Sequence, residues 1–253
     1  MQINLDKIYK RGYFIKNNVK SCKLDKKYIN KILKDNMDNK EKIHEKNEVG
    51  IINGLYATNT GNGGIVPIQI FKNISQSNEP SNQLVLTGSQ GDTMKESVTC
   101  SLTCAKQFLQ RNLNDPRYKK IIPKEIDNLE QYLVENFKSG FHVHTPSTAT
   151  PKDGPSAGCA FTCAFISRIL NIPIKNTIAM TGEIELTGKI TKIGGLIYKL
   201  NGAKKAGVKE VFICSENKKD LEEIKEKNPK LIDKNFKVTI ANYIDDLIDK
   251  ILE

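Results

Sequence analysis

Residues 150–170 read TPKDGPSAGCAFTCAFISRIL. The part after Ser156 is so apolar that it predicts a helix, 156–170, which is buried nearly all round. The prolines, glycines and Asp153 at the start of the stretch predict a tight, irregular loop. Ser156 would then lie at the N-terminus of a buried helix, where unpaired backbone N–H groups and the positive end of the helix dipole suit an oxyanion. The alternative is that Ser156 only caps the helix.

Strand-like and helix-like patterns lie on both sides of this loop. On its N-terminal side, 49–58, 63–71 and 83–88 are β-rich segments separated by turn residues, which predicts a group of antiparallel strands. The spacing of apolar residues elsewhere predicts helices at 91–112, 124–137, 196–206 and 220–225 and from residue 244, and strands at 141–146, 177–191, 210–215 and 236–241. These patterns indicate an α+β or α/β class.

The chain divides by composition near residue 48. Its 253 residues suffice for one domain of about 200 residues with an N-terminal extension. Residues 1–47 are polar, rich in Asn and Lys, and predict a single helix at 24–34. We therefore predict a basic N-terminal arm, 1–47, and a domain, 48–253. More than half of the formal charge of +10 lies early in the chain, which indicates either nucleic-acid contact or, as we prefer, solvated lysine-rich helix faces.

The composition also indicates the cellular compartment and whether the chain spans a membrane or binds a metal. No apolar run approaches the roughly 20 residues that span a bilayer, and the N-terminus lacks the apolar core of a secretory signal. We predict no membrane partner and a cytoplasmic location, in preference to the mitochondrial matrix. Four of the six cysteines form two pairs spaced four residues apart in apolar stretches, which is typical of helix packing and not of a zinc site. We therefore expect reduced thiols and no bound metal.

Two histidine-based mechanisms are alternatives for Ser156. Residues 154–158 fit the Gly-x-Ser-x-Gly elbow of α/β-hydrolases, but that elbow needs a strand before the serine and a later histidine. Here prolines break the strand and no histidine follows residue 144. His142 and His144 lie on one predicted strand, and we expect them to face opposite sides of the sheet, so that only one could face Ser156. A histidine base stays open, with no third partner that we can assign.

Lys199 is the better candidate for a base. In the predicted helix 196–206, Lys199 falls within an apolar stripe with spacing i, i+3, i+4 and i+7, formed with Leu196, Leu200 and Ala203. Burial disfavours the charged ammonium, so it lowers the pKa of the amine and leaves a neutral fraction that can accept a proton. The alternative is that the side chain packs along its stem while the ammonium reaches water.

Four blocks of sequence resemble the proteolytic domain of the Lon proteases, and they occur in the order that this family has. The blocks are GSQGDTMKESV at 88–98, FHVHTPSTATPKDGPSAG at 141–158, TGEIELTGKITKIGGLIYKLNGAKKAGVKEV at 181–211 and SENKKDLEEI at 215–224. The resemblance covers about residues 49–253. It implies an α+β fold with mixed β-sheets packed against helices, and a serine endopeptidase that degrades unfolded or misfolded polypeptides.

The resemblance also implies roles for particular residues. The family's nucleophile falls on Ser156, and the lysine that accepts the serine proton falls on Lys199. Thr181 resembles the hydroxyl that orients the lysine. The resemblance places four further residues near the site, where they would tune or shape it: Asp153, Glu96, His142 and His144. This mechanism needs no metal and no other cofactor.

Two features depart from the family pattern. Lon proteases carry an ATPase domain before the proteolytic domain, but this sequence has no Gly-x-x-x-x-Gly-Lys-Ser/Thr loop for ATP. Since 24–36 resembles the last helix of such a domain, we interpret the arm 1–47 as a remnant of its end and expect any ATP dependence to come from a missing domain or a separate ATPase or unfoldase. The second departure is the longer segment 112–140, which we interpret as a surface embellishment in preference to a docking element.

The resemblance implies one further property, a homo-oligomer in the form of a hexameric ring. Two other functions stay open for the domain 48–253. One is a catalytically silent scaffold or assembly module with the same fold. The other is a Ser/Lys amidase that acts on small molecules, which cleavage of a denatured protein would distinguish.

Overall fold

The computed structural model describes residues 14–16, 19–21, 41–74 and 83–253. It divides into two compact units, 1–40 and 41–253. In the first unit Phe14–Lys16 (β1) and Val19–Ser21 (β2) pair as antiparallel strands. The helix predicted at 24–34 lies outside the described residues. This division lies before residue 48, where the sequence predicted the boundary, because 41–47 make hydrogen bonds to later residues of the second unit: the Asn176 side chain donates to the His44 carbonyl at 2.6 Å.

A mixed seven-stranded sheet forms the centre of the second unit. The strands of this unit are Glu48–Val49 (β3), Ile51–Ala57 (β4), Gly63–Lys72 (β5), Leu84–Thr87 (β6), Phe141–His144 (β7), Pro173–Ile174 (β8), Ile178–Met180 (β9), Glu183–Ile184 (β10), Ile190–Thr191 (β11), Glu210–Ile213 (β12) and Lys237–Ile240 (β13). The sheet order is β13-β12-β9-β4-β5-β7-β6. The β4–β5 and β5–β7 pairs are antiparallel, and the other neighbours are parallel.

Helices cover both faces of this sheet. They are Asp92–Asn112 (α1), Leu129–Phe137 (α2), Gly158–Leu170 (α3), Leu196–Ala206 (α4), Lys218–Lys227 (α5) and Ile248–Ile251 (α6). One buried cluster joins α1 and α3 to one face, and a second joins α4 and α5 to the other. The predicted fold class, α+β with mixed sheets packed against helices, is confirmed. No helix in the described ranges is long and apolar enough to cross a membrane.

The apolar run at the centre of the sequence forms the innermost helix. In α3 every residue except Arg168 is buried, which confirms a helix surrounded by protein. The helix begins at Gly158 and not at residue 156, because the Gly158 N–H donates to the Pro155 carbonyl at 3.0 Å and closes a separate turn around Ser156. α3 packs between α1 and the sheet, where β4 and β5 contact it.

Three predictions about single elements are wrong. β6 does not join the antiparallel group of β4 and β5: the chain returns through α1 and α2 to β7, a long crossover that gives parallel pairing with β6. The predicted strand 177–191 is three short strands, since the chain turns back at Gly188, which has φ +87°. The helix predicted from residue 124 begins at Leu129, where the Asn128 side chain accepts the Gln131 N–H and caps it.

The long segment 112–140 is attached to the main core. Its apolar side chains belong to the same buried cluster as α1 and α3, and the contributing residues are Tyr118, Ile122, Ile126, Leu129 and Phe137. The Tyr132 hydroxyl also donates to the Ile169 carbonyl in α3 at 3.0 Å. The interpretation of this segment as an embellishment in preference to a docking element stays a prediction.

Candidate active site

Ser156 lies in the turn between β7 and α3, and hydrogen bonds from residues 181 and 182 hold its backbone. Its carbonyl accepts the Gly182 N–H at 2.8 Å and the Thr181 hydroxyl at 3.0 Å. The residue is half-buried. The side chain does not cap α3, because the N-cap residue is Ala157 and no side chain caps the helix. The capping alternative is therefore wrong, and the hydroxyl is available for another contact.

Close backbone packing places α4 beside this turn. The helix begins after Gly195, which has φ +69°, and lies on the β4–β5 hairpin. A Cβ on Gly202 would be 2.3 Å from the Gly63 carbonyl carbon, and a Cβ on Gly63 would be 2.2 Å from the Tyr198 carbonyl oxygen. Only glycines allow this approach. This contact fixes the distance between α4 and the sheet, and therefore the position of Lys199.

The start of α4 has a second support. Asn217 is fully buried, and its amide both accepts the Ile193 N–H at 3.1 Å and donates to the Ile193 carbonyl at 2.9 Å. The same amide donates to Asp220 at 2.7 Å. Sequence reasoning assigned no role to Asn217. The hydrogen bonds of Asn217 fix the chain at Ile193, just before Gly194 and Gly195, after which α4 begins.

Lys199 and Ser156 are in direct contact. The Lys199 Nζ lies 2.8 Å from the Ser156 Oγ and 3.0 Å from the Thr181 Oγ1. The Lys199 side chain is turned inward, with 3% of the residue exposed. This contradicts the alternative in which the ammonium reaches water. The Lys199 amine thus bridges the hydroxyls of Ser156 and Thr181.

Burial sets the charge of the amine. Desolvation lowers the pKa of Lys199 from 10.5 to about 8, and only the nearby Cys159 thiol opposes the shift. Burial also raises the pKa of Cys159 to about 12, so that thiol is neutral near pH 8 and offers the ammonium little charge. Within the described residues no carboxylate pairs with Lys199. A substantial neutral fraction of the amine follows at mildly alkaline pH.

Two backbone donors lie beside the Ser156 hydroxyl. Within the described part of the chain, the N–H groups of Ser156 and Ala157 have no hydrogen-bond acceptor, whereas the N–H groups of Gly158 and Cys159 are bonded. Free N–H groups next to a nucleophile are the donors that an oxyanion hole uses. The turn therefore provides a hydroxyl, an adjacent amine and unpaired donors within a few bonds of one another.

Of the residues predicted to support Ser156 and Lys199, only some contact these two residues in the structure. Thr181 contacts both of them. Asp153 instead accepts the Met94 N–H at 2.9 Å, so its carboxylate caps the first turn of α1 and ties the loop to that helix. Glu96 is exposed on α1, and its carboxylate has no hydrogen bond or ion pair to any other described residue.

The two histidines face the same side of the sheet. The His142 Nε2 and His144 Nδ1 atoms lie 2.9 and 2.7 Å from a single atom, the Thr87 Oγ1. The expectation that they face opposite sides is wrong, because residues two apart in a strand share a face. Neither ring contacts Ser156 in the described structure, so the geometry does not support a histidine base.

Sequence reasoning missed two serines of α1 that reach the turn. The Ser97 hydroxyl donates to the Pro155 carbonyl at 3.3 Å, and the Ser101 hydroxyl donates to the Gly158 carbonyl at 2.9 Å. The signal was present in the sequence: both serines interrupt the apolar face of the predicted helix 91–112 at a spacing of four. Buried polar groups on such a face require partners.

Comparison with known proteins agrees with this geometry. Residues 23–253 match the family model of the Lon protease (S16) C-terminal proteolytic domain. A Lon protease homolog of Acanthamoeba polyphaga mimivirus is 48% identical over 89% of this chain. A Lon protease of Trichlorobacter lovleyi is 39% identical over 83%, and a mitochondrial Lon protease homolog of Caenorhabditis briggsae is 31% identical over 84%. The match covers 20 to 22% of these relatives, so the chain spans about a fifth of their length.

A family model that covers nearly the whole chain, together with relatives of this identity, decides the family, and it confirms the resemblance predicted from four blocks of sequence. The chain belongs to the Lon protease family, and residues 23–253 correspond to its C-terminal proteolytic domain.

Proposed function

We propose that this chain is a serine endopeptidase in which Ser156 is the nucleophile and Lys199 is the general base. The observation that carries the proposal is the contact between a desolvated amine and the hydroxyl: the Lys199 Nζ lies 2.8 Å from the Ser156 Oγ and is almost fully buried. A neutral amine at this distance can accept the serine proton. Ser156 and Lys199 are the residues for which the family resemblance implies the same roles.

The reaction is acyl transfer to serine followed by hydrolysis. The neutral Lys199 amine accepts the proton of the Ser156 hydroxyl as the oxygen attacks the substrate carbonyl. The negative oxygen of the tetrahedral intermediate is stabilised by the free N–H groups of Ser156 and Ala157. The Lys199 ammonium then gives its proton to the leaving amine, and the peptide C–N bond breaks. Water, activated by the neutral amine, attacks the acyl-enzyme, and the proton returns to Ser156.

Thr181 has a positioning role in this mechanism. Its hydroxyl bonds to the Ser156 carbonyl at 3.0 Å, and its oxygen lies 3.0 Å from the Lys199 Nζ. The amine is therefore held between two fixed oxygens instead of sampling the rotamers of a free lysine. The other predicted supporting residues, Asp153, Glu96, His142 and His144, would act on the loop or on substrate, and those roles stay proposals.

Substrates and partners are proposed from the family. We propose unfolded or misfolded polypeptides as substrates, since the named relatives are Lon proteases and Lon protease homologs. A hexameric ring and an ATPase, supplied by another domain or another chain, are the proposed partners. A cytoplasmic location stays part of the proposal; the described cysteines, Cys100, Cys104, Cys159, Cys163 and Cys214, are all free, which is typical of a reducing compartment.

The experiment measures cleavage of an unfolded, fluorescently labelled protein by the wild-type chain, Ser156→Ala and Lys199→Ala. We expect each variant to lose about a thousandfold or more in kcat, because residues that act as a unit each abolish the same step. Lys205→Ala is the matched control, since Lys205 lies on the same helix but is exposed. Its activity should equal that of wild type.

Three results would contradict the proposal. Equal residual cleavage by wild type and both dyad variants would favour the silent scaffold. Loss of activity in Ser156→Ala but not in Lys199→Ala would assign the base to another group. Cleavage of small amides without cleavage of the unfolded protein would favour the amidase.

A further inference from the structure

α1 lies along the turn that carries Ser156 and contacts it at three positions along the helix. The Met94 N–H donates to the Asp153 carboxylate, the Ser97 hydroxyl donates to the Pro155 carbonyl, and the Ser101 hydroxyl donates to the Gly158 carbonyl. The three α1 positions, 94, 97 and 101, are spaced i, i+3 and i+7 and so share one face of the helix. Met94, Ser97 and Ser101 are all buried. One face of α1 therefore makes a series of hydrogen bonds to residues 153–158.

The contact at Ser97 determines where one backbone donor points. The Pro155 carbonyl and the Ser156 N–H belong to one planar trans peptide group, so they point in opposite directions. Since the carbonyl bonds to Ser97 on α1 at 3.3 Å, the Ser156 N–H points away from α1. The carbonyl of Ser156 is likewise fixed by Gly182 and Thr181, which turns the Ala157 N–H away from these two residues.

The N–H groups of Ser156 and Ala157 have no acceptor in the described structure, so they are available to an oxyanion. Their direction decides whether they can reach it. Rotation of the 155–156 peptide group would present a carbonyl oxygen where the Ser156 N–H now lies. A carbonyl at that place would repel a developing oxyanion. The Pro155 carbonyl has two hydrogen-bond donors, the Gly158 N–H at 3.0 Å within the turn and the Ser97 hydroxyl at 3.3 Å from α1. Ser97 is the donor that comes from outside the turn, so its hydroxyl ties the orientation of this peptide group to α1.

We propose that Ser97 is a positioning residue for oxyanion stabilisation, an inference that rests on the proposed peptidase function. Its hydroxyl holds the Pro155 carbonyl toward α1 and thereby keeps the Ser156 N–H directed at the reacting carbonyl of the substrate. Ser97 does not touch the substrate in this scheme. It acts on the transition state through the orientation of one peptide group.

Ser101 provides a matched control. It is a buried serine one turn further along the same face of α1. Its hydroxyl has two acceptors, the Ser97 carbonyl within α1 at 2.7 Å and the Gly158 carbonyl at 2.9 Å. The Gly158 carbonyl also receives the Thr162 hydroxyl at 2.9 Å, so it keeps a partner when Ser101 is truncated. The N–H of that peptide group, on Cys159, is bonded to the Gly182 carbonyl and takes no part in oxyanion binding. Loss of the Ser101 hydroxyl should affect stability without turning an oxyanion donor.

The experiment compares Ser97→Ala and Ser101→Ala, each in the whole 253-residue chain, with wild type. We measure kcat and KM on a peptide amide and the inhibition constant of a peptide boronic acid, whose tetrahedral adduct places an oxygen in the oxyanion position. For Ser97→Ala we expect about a tenfold loss in kcat and a similar loss of boronate affinity, with KM changed less than twofold, because only the transition state needs the donor. For Ser101→Ala we expect kcat and boronate affinity within twofold of wild type. Thermal unfolding checks that both variants are folded.

Two outcomes would overturn the inference while wild type is active. One is a Ser97→Ala variant with unchanged kcat and boronate affinity. The other is an equal loss in both serine variants, which would reduce Ser97 to helix packing. If wild type shows no turnover that depends on Ser156, the proposed function fails instead; a crystal structure of Ser97→Ala then decides the inference, which is overturned if the 155–156 peptide group keeps its orientation.

Discussion

At the scale of the residue, the chemistry depends on one desolvated amine. Lys199 has no carboxylate partner in the described structure, and burial lowers its pKa to about 8. A carboxylate at hydrogen-bond distance would favour the ammonium and remove the base. The Thr181 hydroxyl donates to the Ser156 carbonyl and accepts from the Lys199 amine in either protonation state. The Ser156 hydroxyl can accept from the ammonium or donate to the neutral amine, so the amine keeps both partners when it loses its proton.

The pH dependence of the reaction should therefore report Lys199. Since the neutral amine is the active form and its pKa is about 8, kcat/KM should rise about tenfold per pH unit below pH 7 and level off above pH 9. The measurement is kcat/KM on a peptide amide between pH 6 and 10. Lys152→Met is the control: burial also lowers the pKa of Lys152, but its amine bonds to three backbone carbonyls and not to Ser156. A profile that is flat from pH 6 to 9 would contradict the assignment of the base.

At the scale of the element, glycines decide where the helix that carries Lys199 can lie. The apolar stripe of α4 predicted that Lys199 is buried, and the structure agrees. The stripe contains no information about how closely the helix approaches the sheet. That distance follows from Gly63 and Gly202, where two backbones meet without side chains between them. The pairing is between residues far apart in sequence, so periodicity could not reveal it.

Gly202→Ala should separate α4 from the β4–β5 hairpin. The new Cβ would lie 2.3 Å from backbone atoms of Gly63 and Gly64, which cannot move without shifting a strand. We expect a loss of about 2 kcal/mol or more in the free energy of unfolding, and a fall in kcat because the Lys199 amine moves away from Ser156. Chemical denaturation and peptide cleavage measure the two effects.

Gly194→Ala is the control for that change in stability. A Cβ at Gly194 has no atom within 4 Å, and the backbone there does not have positive φ. Its free energy of unfolding should stay within about 0.5 kcal/mol of wild type. An equal destabilisation by both substitutions would show that the close approach of α4 to the hairpin is not what Gly202 provides.

At the scale of the whole molecule, the chain corresponds to one part of longer relatives and has a formal charge of +10. The interpretation of 1–47 as a remnant of an ATPase domain, and nucleic-acid contact by this arm, stay predictions, because most of the arm lies outside the described residues. The hexameric ring also stays a prediction. Its subunits would carry like charge, so their assembly should depend on salt.

Light scattering after size exclusion tests the assembly. We expect a mass of six chains of 28.4 kDa each at about 0.3 M salt, and a larger share of single chains at about 0.05 M, where screening is weaker. A sample of Ser156→Ala controls for self-cleavage during the measurement. The mass of one chain at both salt concentrations and at high protein concentration would contradict the ring.

The sequence by itself determined most of the helices and strands, the burial of α3 and Lys199, and the family, because these depend on local periodicity and on blocks of adjacent residues. It did not determine the pairing of β6, the break of 177–191 into three strands, the shared face of the histidines or the partners of Asp153, where our reasoning was wrong or incomplete. The tertiary structure decided the site: Ser156 and Lys199 are 43 positions apart and meet only because α3 and α4 pack beside the same strands. A hydrogen bond depends on distances below about 3 Å, which are set by packing between elements and not by patterns within them.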